Sequence, residues 1–152
     1  MQTERRELFL EDLEVGAKYQ GASIGITLEL IREFATEFDP QPFHHDEEAA
    51  KASFFGELVA SGWMTAALTI RMGSQGDLRL AGGWIGLGID SIVWPASVRP
   101  GDRLSVLTEV LETRASKSMP KHGVIKLRNL CTNQDGVKVC EVVSNQLVIR
   151  RG

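Results

Sequence analysis

Asp39 and His44 stand five residues apart, with prolines at positions 40 and 42 between them. A carboxylate and an imidazole can trade a proton near neutral pH, provided they are held in fixed relation. Each proline fixes its own φ and pushes the residue before it toward extended backbone. The run Asp39-Pro40-Gln41-Pro42-Phe43-His44 is therefore expected to be a stiff, non-helical loop that can hold the two groups. Further along, Ser61-Gly62-Trp63 reads as the start of a strongly apolar helix. N–H groups in a first turn have no partner inside the helix and can polarise a carbonyl oxygen. Ser61 is expected to be the N-cap and Gly62 the first helical residue. No Gly-x-Ser-x-Gly elbow surrounds Ser61, which argues against a serine hydrolase.

Other polar groups carry less. His45, Asp46, Glu47 and Glu48 do not share a face at ligand spacing, so a helix cap with solvated charges is the better reading. No metal is expected. Lys117, Lys121, Arg99 and Arg103 fall near predicted loops and are assigned no binding role, since isolated surface charges rarely act.

The elements around these residues follow from pattern. Residues 1–17 read as an N-terminal arm with a turn at Gly16, and Lys18–Ile26 as a short strand. Thr27 is a candidate N-cap, followed by Leu28, Ile31, Ala35 and Phe38 at helical spacing. That helix must end before Pro40. Asp46 can cap a second short helix running to about Ser53. The third helix, Ser61 to about Ser74, is apolar nearly all round and is expected to be buried, with Gly73 and Gly76 as candidate stops. Strands follow at Trp84–Trp94, Arg103–Arg114, Val124–Thr132 and Val137–Ile149. Ile85, Leu87, Ile89 and Val93 are expected on one face of the first, and Val137, Val139, Val143, Leu147 and Ile149 in phase on the last. Arg99-Pro100-Gly101-Asp102 suits a type II turn, and Asn133-Gln134-Asp135-Gly136 a hairpin turn. A strand, helices, then four strands imply an α+β fold, with an antiparallel sheet wrapped on the apolar helix.

The chain of 152 residues is expected to form one domain, residues 1–152, with a substantial core. A net charge of −3 gives no general attraction to nucleic acid or to an anionic membrane. The charged N-terminus has no apolar run of signal length, and no stretch approaches a membrane span, so a cytoplasmic location is expected. Cys131 and Cys140 are then read as free core thiols.

The pattern Asp39-x-x-Pro42-Phe43-His44-x-Asp46, a short helix, and a glycine-containing helix start resembles the MaoC-like dehydratases, which include the (R)-specific enoyl-CoA hydratases. FLEDLEVGAKY and SIVWPASVRPGDRLSV extend the likeness over nearly the whole chain. Gln41 stands where the family usually has Asn, and Ser61 where it often has His. The resemblance implies a hot-dog fold and a hydro-lyase that adds water reversibly across the 2,3 double bond of an enoyl-CoA. It further implies that Asp39 and His44 activate the water and that Gly62, with Ser61, meets the thioester. Coenzyme A would enter only as part of the substrate, with no separate cofactor, and the protein would be a homodimer or higher homo-oligomer. A hot-dog acyl-CoA thioesterase and a non-catalytic acyl-thioester-binding domain are the alternatives; the absence of Asp or Glu from Ser61–Ser74 counts against the former.

Overall fold

A computed structural model describes residues 6–152; the first five residues of the expected N-terminal arm lie outside the described residues. Five antiparallel strands form one sheet: β1 (Lys18–Gly25), β2 (Ile85–Val93), β3 (Arg103–Ala115), β4 (His122–Thr132) and β5 (Lys138–Ile149). Their spatial order is β1-β3-β4-β5-β2. Three helices, α1 (Leu28–Phe38), α2 (Glu47–Lys51) and α3 (Gly62–Ser74), lie between β1 and β2 in the chain. The sheet packs on α3, giving the hot-dog architecture that the sequence implied.

Local chemistry explains the boundaries. Thr27 caps α1 by accepting from the Leu30 N–H, and Asp46 caps α2 by accepting from the Glu48 N–H. The turn before β3 closes through the Asp102 N–H donating to the Arg99 carbonyl, with Gly101 at φ 92°, as a type II turn requires. The β4–β5 hairpin closes at Asn133–Gly136, where the Asn133 side chain accepts from the Asp135 and Val137 N–H groups. A 3-10 turn over Leu10–Asp12 in the N-terminal arm was not expected; Asp12 accepts from the Phe9 N–H and thereby holds it.

Four expectations need correction. The Asp39–His44 run is not wholly non-helical. Pro42–His44 forms one 3-10 turn, because proline's fixed φ suits the first position of a helical turn whose N–H goes unused. Gly73 is not a stop but lies inside α3. A Cβ there would come within 2.8 Å of the Asn129 side-chain oxygen and 2.9 Å of the Trp84 ring, so glycine is required for close approach to the sheet. On β5, Val142, Ser144, Gln146 and Val148 are on the buried face, whereas Val143, Leu147 and Ile149 are on the other face. Buried Ser144 and Gln146 disguise the inner face, and an irregularity at the Cys131/Thr132 step shifts the phase at Val139. On β2, extra residues at Leu87 and Asp90 break the alternation twice. Ile85 and Val93 therefore pair with Leu147 and Glu141 on the outer face, while Ile89 pairs with Ser144 on the inner one.

Burial of α3 is also incomplete. Met64, Leu68 and Met72 are buried in the main core, but Trp63 and Ala67 are exposed and Ile70 is only partly covered. Among the described residues no helix is long and apolar enough to cross a membrane.

Cys131 and Cys140 are free, buried and directly opposite each other on β4 and β5. Burial pushes the Cys131 thiol up to about 11 and raises Cys140 as well, although Thr69 hydrogen-bonds to both and opposes the shift. At pH 8 only about one Cys131 in a thousand would be thiolate, the reactive form. A disulfide-exchange reagent at pH 8 is expected to label neither cysteine of the native protein within minutes, and both after denaturation. Fast labelling of the native protein would contradict this.

Candidate active site

Asp39 is the C-cap of α1, its φ of −151° and ψ of 74° turning the chain out of the helix ahead of Pro40. Its backbone carbonyl accepts from the Gln41 N–H, and the Pro42–His44 turn follows at once. The proline spacing thus brings the His44 ring back over the Asp39 carboxylate, with His44 Nε2 at 3.3 Å from Asp39 Oδ2. The His44 side chain is nearly buried, 6% exposed, and that of Asp39 is 18% exposed.

Each ring nitrogen of His44 has a definite neighbour. Nδ1 lies 2.7 Å from the Val59 carbonyl oxygen. That oxygen can only accept, so Nδ1 carries a proton and donates it. Nε2, facing Asp39, is left to gain or lose the second proton. When Nε2 is protonated it donates to Asp39 Oδ2; when it is not, it is a base beside a carboxylate.

Ser61 joins the site from the other side. Its Oγ donates to Asp39 Oδ2 at 2.7 Å and accepts from the Trp63 N–H at 3.2 Å. The one hydroxyl is therefore both the N-cap of α3 and a hydrogen-bond donor to Asp39. Both side-chain contacts of Asp39 fall on Oδ2. As the first residue of α3, Gly62 has an N–H with no acceptor in its own helix.

These residues open on a common cavity of about 530 Å³. Asp39, His44, Gly62 and Thr65 line it, and its walls are mostly aromatic and aliphatic: Phe43, Phe55, Val59, Trp63, Trp94 and Val98. Phe54, 97% exposed, stands at the wall as well. The segment Trp94–Val98 after β2 was not read from the sequence as part of the site. It is fastened there by the Ala60 N–H donating to the Val98 carbonyl. Trp94 and Pro95 fall within a segment that carries the family likeness, but nothing in their residue types points to Gly62; the fold brings them there.

Other candidates lie elsewhere. Gln41 is exposed and does not line the cavity. Arg99 pairs with Glu57, and Arg103 donates to Ser23. His45 sits beside Thr36, and Asp46 is engaged in capping. Among the described residues, no group of three or more His, Cys, Asp or Glu side chains is placed to hold a metal ion.

Comparison with known proteins bears on the family and the fold. Residues 12–130 match the family described as MaoC like domain. The crystal structure of a MaoC-like dehydratase from Rhodospirillum rubrum is similar, with 46% identity, a TM-score of 0.90, and coverage of 95% of this chain and 99% of that one. The R-hydratase PhaJ1 from Pseudomonas aeruginosa, in its unliganded form, shares 26% identity with a TM-score of 0.76, over 95% of this chain and 88% of that one. An uncharacterized protein of Bacillus subtilis, YdeM, is 30% identical over 93% of this chain and 99% of its own length.

Replacing Ser61 by alanine would remove both the cap of α3 and a donor to Asp39. Urea unfolding is expected to show a loss of about 1 kcal/mol, the usual cost of an N-cap. A Ser61→Ala protein as stable as the wild type would mean that the hydroxyl does not hold the helix start.

Proposed function

The chain belongs to the MaoC-like dehydratase family, and from that premise we propose that it hydrates the 2,3 double bond of an enoyl-CoA thioester reversibly. The product would be the 3-hydroxyacyl-CoA, of R configuration as in the (R)-hydratases. The observation that carries the reading is the convergence of Asp39, His44 and the start of α3 on one apolar-walled cavity.

Each group then has a task. A water held between Asp39 and His44 attacks C3 of the substrate. Asp39 takes one of its protons as the C–O bond forms. Electrons of the double bond move toward the thioester, whose oxygen gains negative charge. The Gly62 N–H, at the positive end of α3, faces that oxygen and stabilises the charge as it develops. A proton returned from the Asp39/His44 pair to C2 completes the addition, with no net change in the enzyme. Donation from His44 Nδ1 to Val59 keeps Nε2 turned toward the reacting atoms. The mostly apolar walls offer few competing polar partners, which favours these interactions.

Assembly belongs to the same proposal. Ile85, Leu87, Ile89 and Val93 on the edge strand β2 are 41–55% exposed, and Trp63 on α3 is 60% exposed. An open apolar edge beside an uncovered helix face is a surface that chains bury against a copy of themselves. We therefore assign this protein a homodimer in which β2 and the exposed side of α3 are covered. Sedimentation equilibrium at micromolar concentration should give the dimer mass; a monomer would contradict it.

The catalytic proposal is tested by following the ultraviolet absorbance of an enoyl thioester. Asp39→Asn and His44→Ala are each expected to abolish nearly all hydration, and the double variant to be little worse, because two groups sharing one water act as a unit. Substantial turnover by either single variant would defeat the assignment. Release of free thiol by the wild type would instead point to thioester cleavage.

A further inference from the structure

Trp94 has two contacts with the start of α3. Its indole Nε1–H donates to the Gly62 carbonyl oxygen at 2.8 Å. Its ring also occupies the space where a side chain on residue 62 would begin: a Cβ there would meet Trp94 Cε2 at 2.8 Å. Any residue but glycine at position 62 would push the indole away and lengthen or break this bond. The glycine is thus explained by the tryptophan, and Gly62→Ala is not the harmless change that a free helix start would allow. Trp94 is further steadied by Trp63, whose ring meets it edge to face with centroids 5.4 Å apart.

The carbonyl that Trp94 engages belongs to the same peptide unit as the Trp63 N–H. That N–H donates to Ser61 Oγ, and Ser61 Oγ donates to Asp39 Oδ2. Every link in this series points the same way, from the indole to the carboxylate. A donor on an amide oxygen draws electrons toward that oxygen and makes the amide N–H a stronger donor. A hydroxyl that accepts a stronger bond is in turn a better donor to the next group. Hydrogen bonds in such a directed series reinforce one another.

We infer that Trp94 is a positioning residue for the Asp39/His44 pair, acting through the Gly62–Trp63 peptide and Ser61. The inference rests on the hydratase reading for its kinetic consequence, but the hydrogen-bond series itself does not depend on it. Trp94 also fixes the orientation of the peptide plane next to the Gly62 N–H. Its loss would therefore disturb the water-activating side and the carbonyl-binding side together. If Trp94 is only a wall of the cavity, removing its N–H while keeping its shape changes nothing.

The test replaces Trp94 with 3-benzothienylalanine, in which sulfur takes the place of the indole N–H at nearly the same size and ring character. The expected result with an enoyl-CoA substrate is a fall in kcat of about fivefold, the scale of one neutral hydrogen bond, with KM little changed. A second measurement needs no substrate: the NMR signals of the His44 ring at fixed pH should move on the same replacement. In a Ser61→Ala background the replacement should leave those signals where they are, since the series is already cut. Unchanged kcat together with unmoved His44 signals would overturn the proposal, as would an equal movement of the signals with and without Ser61. Should the wild type hydrate no enoyl thioester, the hydratase reading fails alone, and the His44 measurements still decide whether Trp94 is coupled to the pair.

Discussion

One hydroxyl ties the end of α1 directly to the start of α3. Ser61 Oγ accepts the Trp63 N–H and so closes the first turn of α3; the same oxygen donates to Asp39. The loop carrying Asp39 and His44 is thereby tied to the helix that the whole sheet surrounds. Asp39, at the end of α1, is stabilised by a donor supplied from the start of α3. Moving one helix against the other would stretch the Ser61–Asp39 bond, because Ser61 travels with α3 and Asp39 with α1. The rigidity of the core, with Met64, Leu68 and Met72 buried under the sheet, is in this way passed to two side chains at its edge.

The parts of the fold legible in the sequence were those with local causes. Caps at Thr27, Asp46 and Ser61 and the turns at Gly101 and Gly136 follow from chemistry within a few residues. The Asp39/His44 juxtaposition is of this kind, since two prolines and one 3-10 turn suffice to make it. Features with non-local causes were misread. The inner face of β5 holds Ser144 and Gln146, which a search for apolar alternation rejects. Gly73 resembled a helix stop because its true reason lies in distant parts of the chain, the side chains of Asn129 on β4 and of Trp84 just ahead of β2. Trp94 gave no sign of belonging to the site, because its partner is a backbone carbonyl 32 residues away.

Six buried polar residues share one location. Thr108, Asn129, Ser144 and Gln146 on the sheet, and Thr65 and Thr69 on α3, are all buried between helix and sheet. Burying such a row costs free energy wherever a group goes unpaired, as Asn129 Nδ2 and Gln146 Oε1 do. Thr65 and Thr69 limit that cost by donating to the carbonyls four residues back, at Ser61 and Thr65. Thr108 donates to the Asn129 side-chain oxygen, and Gln146 to Ser144. What the row provides is small size: with Ser61, Thr65, Thr69 and Gly73 at every fourth position, α3 presents a narrow strip along which it can lie close to the sheet.

That close approach has a consequence for the site. A helix held near the sheet by small residues has its larger apolar side chains turned sideways and outward. Some of these, such as Met64 and Leu68, find cover within the chain, whereas Trp63 does not. The exposed apolar surface of α3 is thus the other side of the arrangement that seats the helix start against Asp39. The same edge of the molecule carries β2 and its exposed Ile85, Leu87, Ile89 and Val93, and β2 runs directly into Trp94 at the cavity wall. The residues that do not fit under the sheet include Trp63 and Trp94, which meet edge to face beside the Gly62–Trp63 peptide, so the exposed apolar surface is continuous with the start of α3.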